Sequence, residues 1–331
     1  MKGSSDIHRV LIVKPSSLGD IVHSLPVLHA LKAAHPEAEV HWVVARGLEG
    51  LLEGHPLIHK LWVIDKDAWK RPAHAFSTIA ELCRLRTRLR RERFDLTIDL
   101  QGLLRSALIT RISGATERVG FANAREGAPM FYTRKVTPPA AAIHAVDRYM
   151  LVARSLGLPS DEVRFPMVSQ PYPLDLTDYA VIVPGARWAS KVWPADRFGT
   201  VAASLPLPSV IVGSGADTHK ARVIVERSGG KAIDLTGKTT LGQLSHVISR
   251  ARLMVTNDSG PMHIAAAWGV PVVAIFGPTS PGLTGPYGTG HTVIRAEDIE
   301  CAPCRNRECE SMKCMAGVQP ERVINAANAC L

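Results

Sequence analysis

The chain has 331 residues, 46% hydrophobic and 21% charged. That composition excludes collagen-like, coiled-coil and broadly disordered proteins, and at about 150 residues per domain the length favours two domains. Thirty-nine Lys and Arg against 30 Asp and Glu leave a net charge of +9, which suits nucleic acid, a phosphorylated small molecule or an anionic membrane surface.

No stretch approaches the roughly 20 apolar residues of a membrane span. Met1 to Lys14 reads as a short polar lead and a strand, without the basic, apolar and small-residue pattern of a secretory signal. The expected location is cytoplasmic. In chain order, strands are expected at Val10–Val13, Val40–Val44, Lys60–Ile64 and Asp95–Asp99, with a helix over Ile21–Ala33. Near-continuous apolar strands separated by helices imply a parallel sheet covered on both faces.

A basic helical run follows at Arg84–Arg93, where Leu82, Leu85 and Leu89 share one face. A solvated face is the ordinary reading of such a run, and a membrane-surface or nucleic-acid face the sharper one. No aromatics are interleaved for base stacking, which counts against single-stranded nucleic acid. After a proline-rich break from Phe165 to Asp178 the pattern restarts. Strands are expected at Tyr179–Val183, Ser209–Val212, Leu253–Thr256 and Val272–Phe276, and helices at Ala195–Leu205, Thr218–Ser228 and Leu241–Ala251. The less regular end carries a final helix near Pro320–Ala329, able to pack on either half. The organisation is therefore an N-terminal domain over 1–166, a linker over 167–178 and a C-terminal domain over 179–331. In doubly wound sheets, ligands bind beyond the carboxyl ends of the strands, so a cleft between two such domains is the natural site.

Three loops carry chemistry. Lys14-Pro15-Ser16-Ser17-Leu18-Gly19-Asp20 joins the first strand to the first helix. Asp20 there suits a general base on a hydroxyl nucleophile, although Ser17-x-x-Asp20 equally fits a capping box. No G-x-G-x-x-G follows the strand, which removes the main sign of a dinucleotide-binding dehydrogenase. Asn257-Asp258-Ser259-Gly260-Pro261-Met262-His263 is a strand–Gly turn–helix junction. Its amides and helix dipole suit an anion, with His263 in the first turn; the plainer reading is a capped helix with a packed histidine. Pro184 to Pro194 places Arg187 and Lys191 after another strand, two cations for a diphosphate or merely a solvated basic loop.

Five of the six cysteines fall between Cys301 and Cys330, which argues against a disulfide scaffold. Cys301-x2-Cys304-x4-Cys309-x4-Cys314 has the spacing of a small zinc knuckle, or of reduced thiols in a loop-rich tail.

Taken together, several motifs in one order resemble glycosyltransferase family 9, the lipopolysaccharide heptosyltransferases, and most closely the branch that adds the first heptose. They are Val13–Asp20, Asp99-Leu100-Gln101-Gly102-Leu103, Ala124-Arg125-Glu126, Phe131-Tyr132, Arg134-Lys135 and His144-Ala145-Val146-Asp147-Arg148, followed by Lys191-x-Trp193-Pro194, Asp258-Ser259-Gly260-x-x-His263 and Phe276-Gly277-Pro278-Thr279. The resemblance implies an α/β GT-B fold, two Rossmann-like doubly wound domains facing across a cleft. It implies an inverting, metal-independent transfer from ADP-L-glycero-β-D-manno-heptose to the Kdo region of Kdo2-lipid A, with no cofactor and no nucleic-acid partner. Asp20 would be the base. Arg187, Lys191, Asp258, Ser259, Gly260 and His263 would hold the donor, and Lys14, Ser16, Ser17, Arg125, Arg134 and Lys135 the acceptor. The enzyme would be cytoplasmic and peripheral at the inner membrane. Two threonines frequent in the first-heptose branch fall on Ala186 and Arg187, and the cysteine-bearing tail is closer to second-heptose enzymes, so that acceptor stays open. Outside this family, another GT-B nucleotide-sugar enzyme or a basic RNA- or membrane-binding module are the alternatives.

Overall fold

The computed structural model describes residues 7–66, 69 and 75–331; the polar lead at 1–6 lies outside them. The chain divides into two compact units, Met1–Val168 and Ser169–Leu331. The division falls inside the proline-rich stretch, where residues 167–178 carry no helix or strand.

Unit 1 runs β1 (Arg9–Val13), α1 (Leu18–Ala34), β2 (Glu39–Ala45), β3 (Lys60–Ile64), α2 (Ala75–Glu92), β4 (Leu96–Asp99), α3 (Leu104–Ile112), β5 (Glu117–Phe121), β6 (Arg134–Val136) and α4 (Ala145–Ser155). Its six strands pair in parallel in the order β3-β2-β1-β4-β5-β6. Val10 to Val13 are wholly buried because helices cover both faces of the sheet. Helix α1 is apolar on nearly every side and buries Ile21 to Leu28 without a break, as a helix without a polar face must. Helix α2 is the opposite case. Leu85 and Leu89 pack into the core while Arg84, Arg86, Arg88, Arg90 and Arg91 face solvent.

Unit 2 runs β7 (Ala180–Val183), α5 (Ala195–Ser204), β8 (Ser209–Ile211), α6 (Thr218–Arg227), β9 (Ala232–Asp234), α7 (Leu241–Ser249), β10 (Leu253–Asn257), α8 (Gly260–Ala267), β11 (Val272–Ile275), α9 (Pro281–Thr284), β12 (His291–Ile294), α10 (Lys313–Ala316) and α11 (Pro320–Ala329). The strand order β12-β11-β10-β7-β8-β9 repeats the first sheet's topology, again all parallel. The final helix packs on unit 2, where Val323 and Ala327 join the core around Trp193 and Phe198.

The strands missing from the sequence reading, β5, β6, β9 and β12, are short or polar. β6 and β9 have three residues each and close opposite ends of their sheets; an edge strand with one neighbour needs little apolar sequence. In each sheet the chain reverses direction across the sheet between its first and fourth strands. That places the β1 and β4 loops side by side, and likewise the β7 and β10 loops. Such switch points are where doubly wound sheets bind ligands, and they hold Asp20 in unit 1 and Lys191 and Asp258 in unit 2.

Candidate active site

In unit 1 the loop after β1 is pinned across the switch point. The Ser16 amide donates to Gln101 Oε1 at 3.2 Å, and the Lys14 ammonium donates to the Leu100 carbonyl at 3.1 Å. The capping reading of Ser17-x-x-Asp20 is realised by a single carboxylate oxygen. Asp20 Oδ2 accepts from the Ser17 amide at 3.0 Å and its hydroxyl at 2.7 Å. The other oxygen, Oδ1, accepts from Tyr149 Oη–H at 3.2 Å and stands 3.9 Å from Lys14 Nζ. The Asp20 side chain is 39% exposed and that of Lys14 only 2%.

Burial works to raise the Asp20 carboxyl, but the Lys14 ammonium and the two Ser17 hydrogen bonds outweigh it. They hold the carboxyl well below the usual carboxylate range. Burial, in turn, lowers the Lys14 ammonium against the pull of Asp20 and Asp99. Tyr149 is held neutral, first by burial and then by Asp20, so its hydroxyl is a fixed donor.

A pH dependence follows. A carboxylate with a depressed pKa stays ionised as pH falls, so the intact protein's activity should show no Asp20 limb down to about pH 5, above the ordinary value near 3.9. In Lys14→Met the counter-charge is gone while burial remains, so the Asp20 pKa rises and an acid limb moves up into the measurable range. A kcat–pH profile from 4.5 to 9 checks this, and a limb unmoved in the variant contradicts it.

Several expected acceptor residues stand elsewhere. Lys14 lies behind Asp20 rather than at the surface, because its ammonium is committed to Leu100 in the core. Ser17 spends both its donors on Asp20. Arg134 begins β6 at the amino-terminal edge of the sheet, tied to Glu117 at 3.1 Å and to the Ser155 carbonyl. That is the edge opposite the Asp20 loop, and Lys135, one residue on, lies exposed on the same short edge strand. Arg125 is exposed in the loop after β5, its amide bonded to the Gly102 carbonyl at 3.0 Å. It therefore shares the carboxyl edge with Ser16 and Asp20.

In unit 2, Lys191 Nζ meets Asp258 Oδ2 at 2.6 Å, and the Thr279 hydroxyl donates to the same oxygen at 2.5 Å. Asp258 is 6% exposed and Lys191 15%. Lys191 also lies 4.4 Å over the Trp188 ring. The Asn257 amide ties β10 to the β7 loop, donating to the Pro184 carbonyl at 2.9 Å and accepting from the Trp193 amide at 3.1 Å. Ser259 is the N-cap residue of α8 yet makes no side-chain capping bond; its hydroxyl pairs with that of Thr256 at 3.0 Å. The plain capping reading therefore fails, and the first-turn amides keep their capacity for an anion. His263 lies buried in that first turn, and Arg187 is exposed on the β7 loop.

Residues 82–315 match the family described as glycosyltransferase family 9 (heptosyltransferase). The chain belongs to glycosyltransferase family 9. It is 33% identical to lipopolysaccharide heptosyltransferase 1 of Pseudomonas aeruginosa over 98% of both chains. Among solved structures it is similar to Escherichia coli heptosyltransferase WaaC with ADP, at TM-score 0.82 and 27% identity over 98% of this chain and 100% of that one. The same protein with ADP-2-deoxy-2-fluoro heptose matches at TM-score 0.80 and 26% identity, over 98% of this chain and 100% of that one. The pair of parallel α/β units is thus the GT-B fold, and this chain is a glycosyltransferase.

Other residues shape these loops in this family 9 enzyme: Asp99, Tyr132 and Thr279 stand in the quoted motifs without an assigned role, and Tyr149 stands outside them. Asp99 is wholly buried and accepts from the Gln101 and Gly102 amides and from Tyr132 Oη–H at 2.8 Å, which shapes the loop that holds Ser16. Burial raises its carboxyl despite those donors. Tyr149 and Thr279 each orient a carboxylate from far along the chain. Among the described residues, Glu39, His41 and His59 bring potential metal-ligand atoms within 4.8 Å of one another. The Trp62 indole N–H donates to His41 Nδ1 at 3.1 Å, so the other ring nitrogen carries the proton and has no lone pair for a metal. Burial lowers His41 to about 4, and the trio lies on β2 and before β3, away from the switch point.

Proposed function

We propose that this glycosyltransferase transfers heptose from ADP-L-glycero-β-D-manno-heptose to the Kdo region of the lipopolysaccharide inner core, with inversion and with Asp20 as general base. The observation that carries this reading is the Asp20 carboxylate. It is kept ionised at a switch point, with one oxygen held by Ser17 and its side chain open to solvent. The similarity to lipopolysaccharide heptosyltransferase 1, and to heptosyltransferase WaaC with ADP and with ADP-2-deoxy-2-fluoro heptose, supports an ADP-heptose donor and a lipopolysaccharide acceptor.

In the proposed reaction, Asp20 Oδ1 takes the proton of a Kdo hydroxyl as that oxygen bonds to the anomeric carbon. The bond from that carbon to the β-phosphate oxygen breaks on the opposite face, and ADP leaves with the electron pair. Charge builds on the diphosphate as the bond lengthens. Lys191, the Ser259 and Gly260 amides and His263 meet it, with Arg187 adding charge from the loop. These fixed donors fill the role that a divalent cation serves in other transferases, so no metal takes part. Unit 1 would bind the acceptor through Ser16 and Arg125, and unit 2 the donor.

No helix among the described residues is long and apolar enough to cross a membrane. The enzyme would instead work from the cytoplasm, touching the anionic inner-membrane surface through the exposed arginines of α2.

Donor competition tests the reading. ADP-heptose should turn over on Kdo2-lipid A, with UDP-sugars inert under the same conditions. Turnover of a UDP-sugar with none of ADP-heptose would sink it.

A further inference from the structure

Asp258 meets the Lys191 ammonium at 2.6 Å, so that pair alone offers little net charge to a diphosphate, which carries more than one negative charge. The start of α8 adds amides and a partial positive charge. A further full cation stands on the segment after β12.

Residues 305–307 are bonded to both sides of the pair. The Arg305 amide donates to the Pro278 carbonyl at 2.8 Å, beside Thr279. Ser190, next to Lys191 and 1% exposed, donates its hydroxyl to the Asn306 carbonyl at 2.6 Å and its amide to the Arg307 carbonyl at 3.3 Å. The segment is also seated from behind. At Gly277 a Cβ would come within 2.5 Å of the Met315 sulfur and 2.9 Å of the Cys314 sulfur, so only glycine admits that packing. The Trp193 indole and the Arg197 guanidinium donate to the Val318 carbonyl at 3.1 and 2.6 Å. The backbone of Arg307 is therefore fixed relative to Lys191, although the residue itself is exposed.

That placement sets two cations on one half-buried ring. The Arg307 Cζ lies 5.4 Å from the centre of Trp188, and Lys191 Nζ lies 4.4 Å from it. Their partners differ. Lys191 is paired with Asp258, whereas among the described residues no carboxylate forms an ion pair with Arg307. A ring contact orients a guanidinium without discharging it, so the planar fork keeps its N–H donors for an anion and matches phosphate oxygens two at a time. Arg187, by contrast, has no hydrogen bond or ring contact holding its guanidinium among the described residues.

We infer that Arg307 is a donor-binding residue, its guanidinium binding the diphosphate of the nucleotide sugar beside Lys191, and that Ser190 is the positioning residue that sets it there. This role rests on the function proposed above. Arg307 would touch the leaving group, so its charge counts for more as the bond to the anomeric carbon lengthens and charge gathers on the diphosphate.

Calorimetry and steady-state kinetics on the full chain test it. Arg307→Gln should weaken ADP binding on the order of 10-fold, the low end for a hydrogen bond to a charged group, and should lower kcat. Adenosine, which has no phosphate, should bind as before. Arg307→Lys should recover part of the loss, since it keeps the charge without the fork. The melting temperature should stay put in both, because the side chain is exposed and holds no ion pair. Lys313→Ala, the same charge lost from the same segment, should bind ADP like the parent. Ser190→Ala should weaken ADP binding too, and Arg307→Gln should add little on top of it. Unchanged ADP affinity in Arg307→Gln, an equal loss for adenosine, a matching loss in Lys313→Ala or a fall in melting temperature would each overturn the role of Arg307. Full additivity with Ser190→Ala would remove Ser190 as its positioning residue. A parent that binds UDP in place of ADP fails the ADP-heptose reading, and the same comparison with UDP against uridine then decides Arg307. A parent that binds neither diphosphate overturns both.

Discussion

Asp20→Asn is expected to lower turnover on the order of 10²–10⁴-fold, the usual range for a lost general base, while ADP binds as before. The substitution is conservative where the fold is concerned. Asparagine Oδ1 can accept from the Ser17 amide and hydroxyl that now bond Asp20 Oδ2, so the start of α1 keeps its cap. What is lost is the second oxygen as a proton acceptor. The amide cannot take a proton at working pH, and the acceptor hydroxyl would have to attack undeprotonated. The Lys14 ammonium also loses its nearest counter-charge, so a modest fall in melting temperature should accompany the kinetic loss. Steady-state kcat, ADP calorimetry and a melting curve on one preparation separate these effects. A basic module that merely held RNA or lipid would not register the change, and its affinity would fall steeply with salt instead. Unchanged turnover would remove Asp20 from the chemistry.

Local signals were legible where local physics decides. β3 and α11 have the bounds their patterns imply, and Leu85 and Leu89 mark the buried face of α2. The Ser17-x-x-Asp20 spacing foretold a cap, and the loop positions after β1, β7 and β10 placed Asp20, Lys191 and Asp258 at carboxyl edges. What sequence could not show was partnership across long separations. Lys14 stands in the sequence among the residues expected to hold the acceptor, whereas its ammonium donates to the Leu100 carbonyl, 86 residues on, inside the core. Tyr149 reaches Asp20 from 129 residues away, and the quoted motif on α4, His144–Arg148, stops one residue short of it. Arg134 has the right charge on the wrong edge; only the pairing of Val119 with Arg134 reveals that it opens β6. Thr279 closes a quoted motif, but only the fold sets its hydroxyl on Asp258, as it sets the Asn306 carbonyl on Ser190. Charge and spacing thus located the loops, whereas burial decided which of their residues remain free to meet a substrate.

Lys191→Met should cut kcat/KM for the donor by about 10²–10³, the scale of losing one preorganised charge on a developing anion. The same change should destabilise unit 2, because it leaves the 6% exposed Asp258 carboxylate without its counter-charge, the Thr279 hydroxyl alone still donating to Oδ2. Removing one member of a buried ion pair costs about 3–5 kcal/mol, while replacing both can be nearly neutral. The two consequences can therefore be pulled apart. In Lys191→Met/Asp258→Asn no carboxylate is left uncompensated, so the double variant should melt above Lys191→Met alone, with a coupling energy set by the 2.6 Å contact. Turnover should not recover with it, since the diphosphate still lacks its cation. A thermal denaturation series beside the donor kinetics gives both readings from the same three variants. If activity returns together with stability, Lys191 serves only to hold Asp258, and the diphosphate must find its positive charge elsewhere, Arg187 being the next cation on the β7 loop.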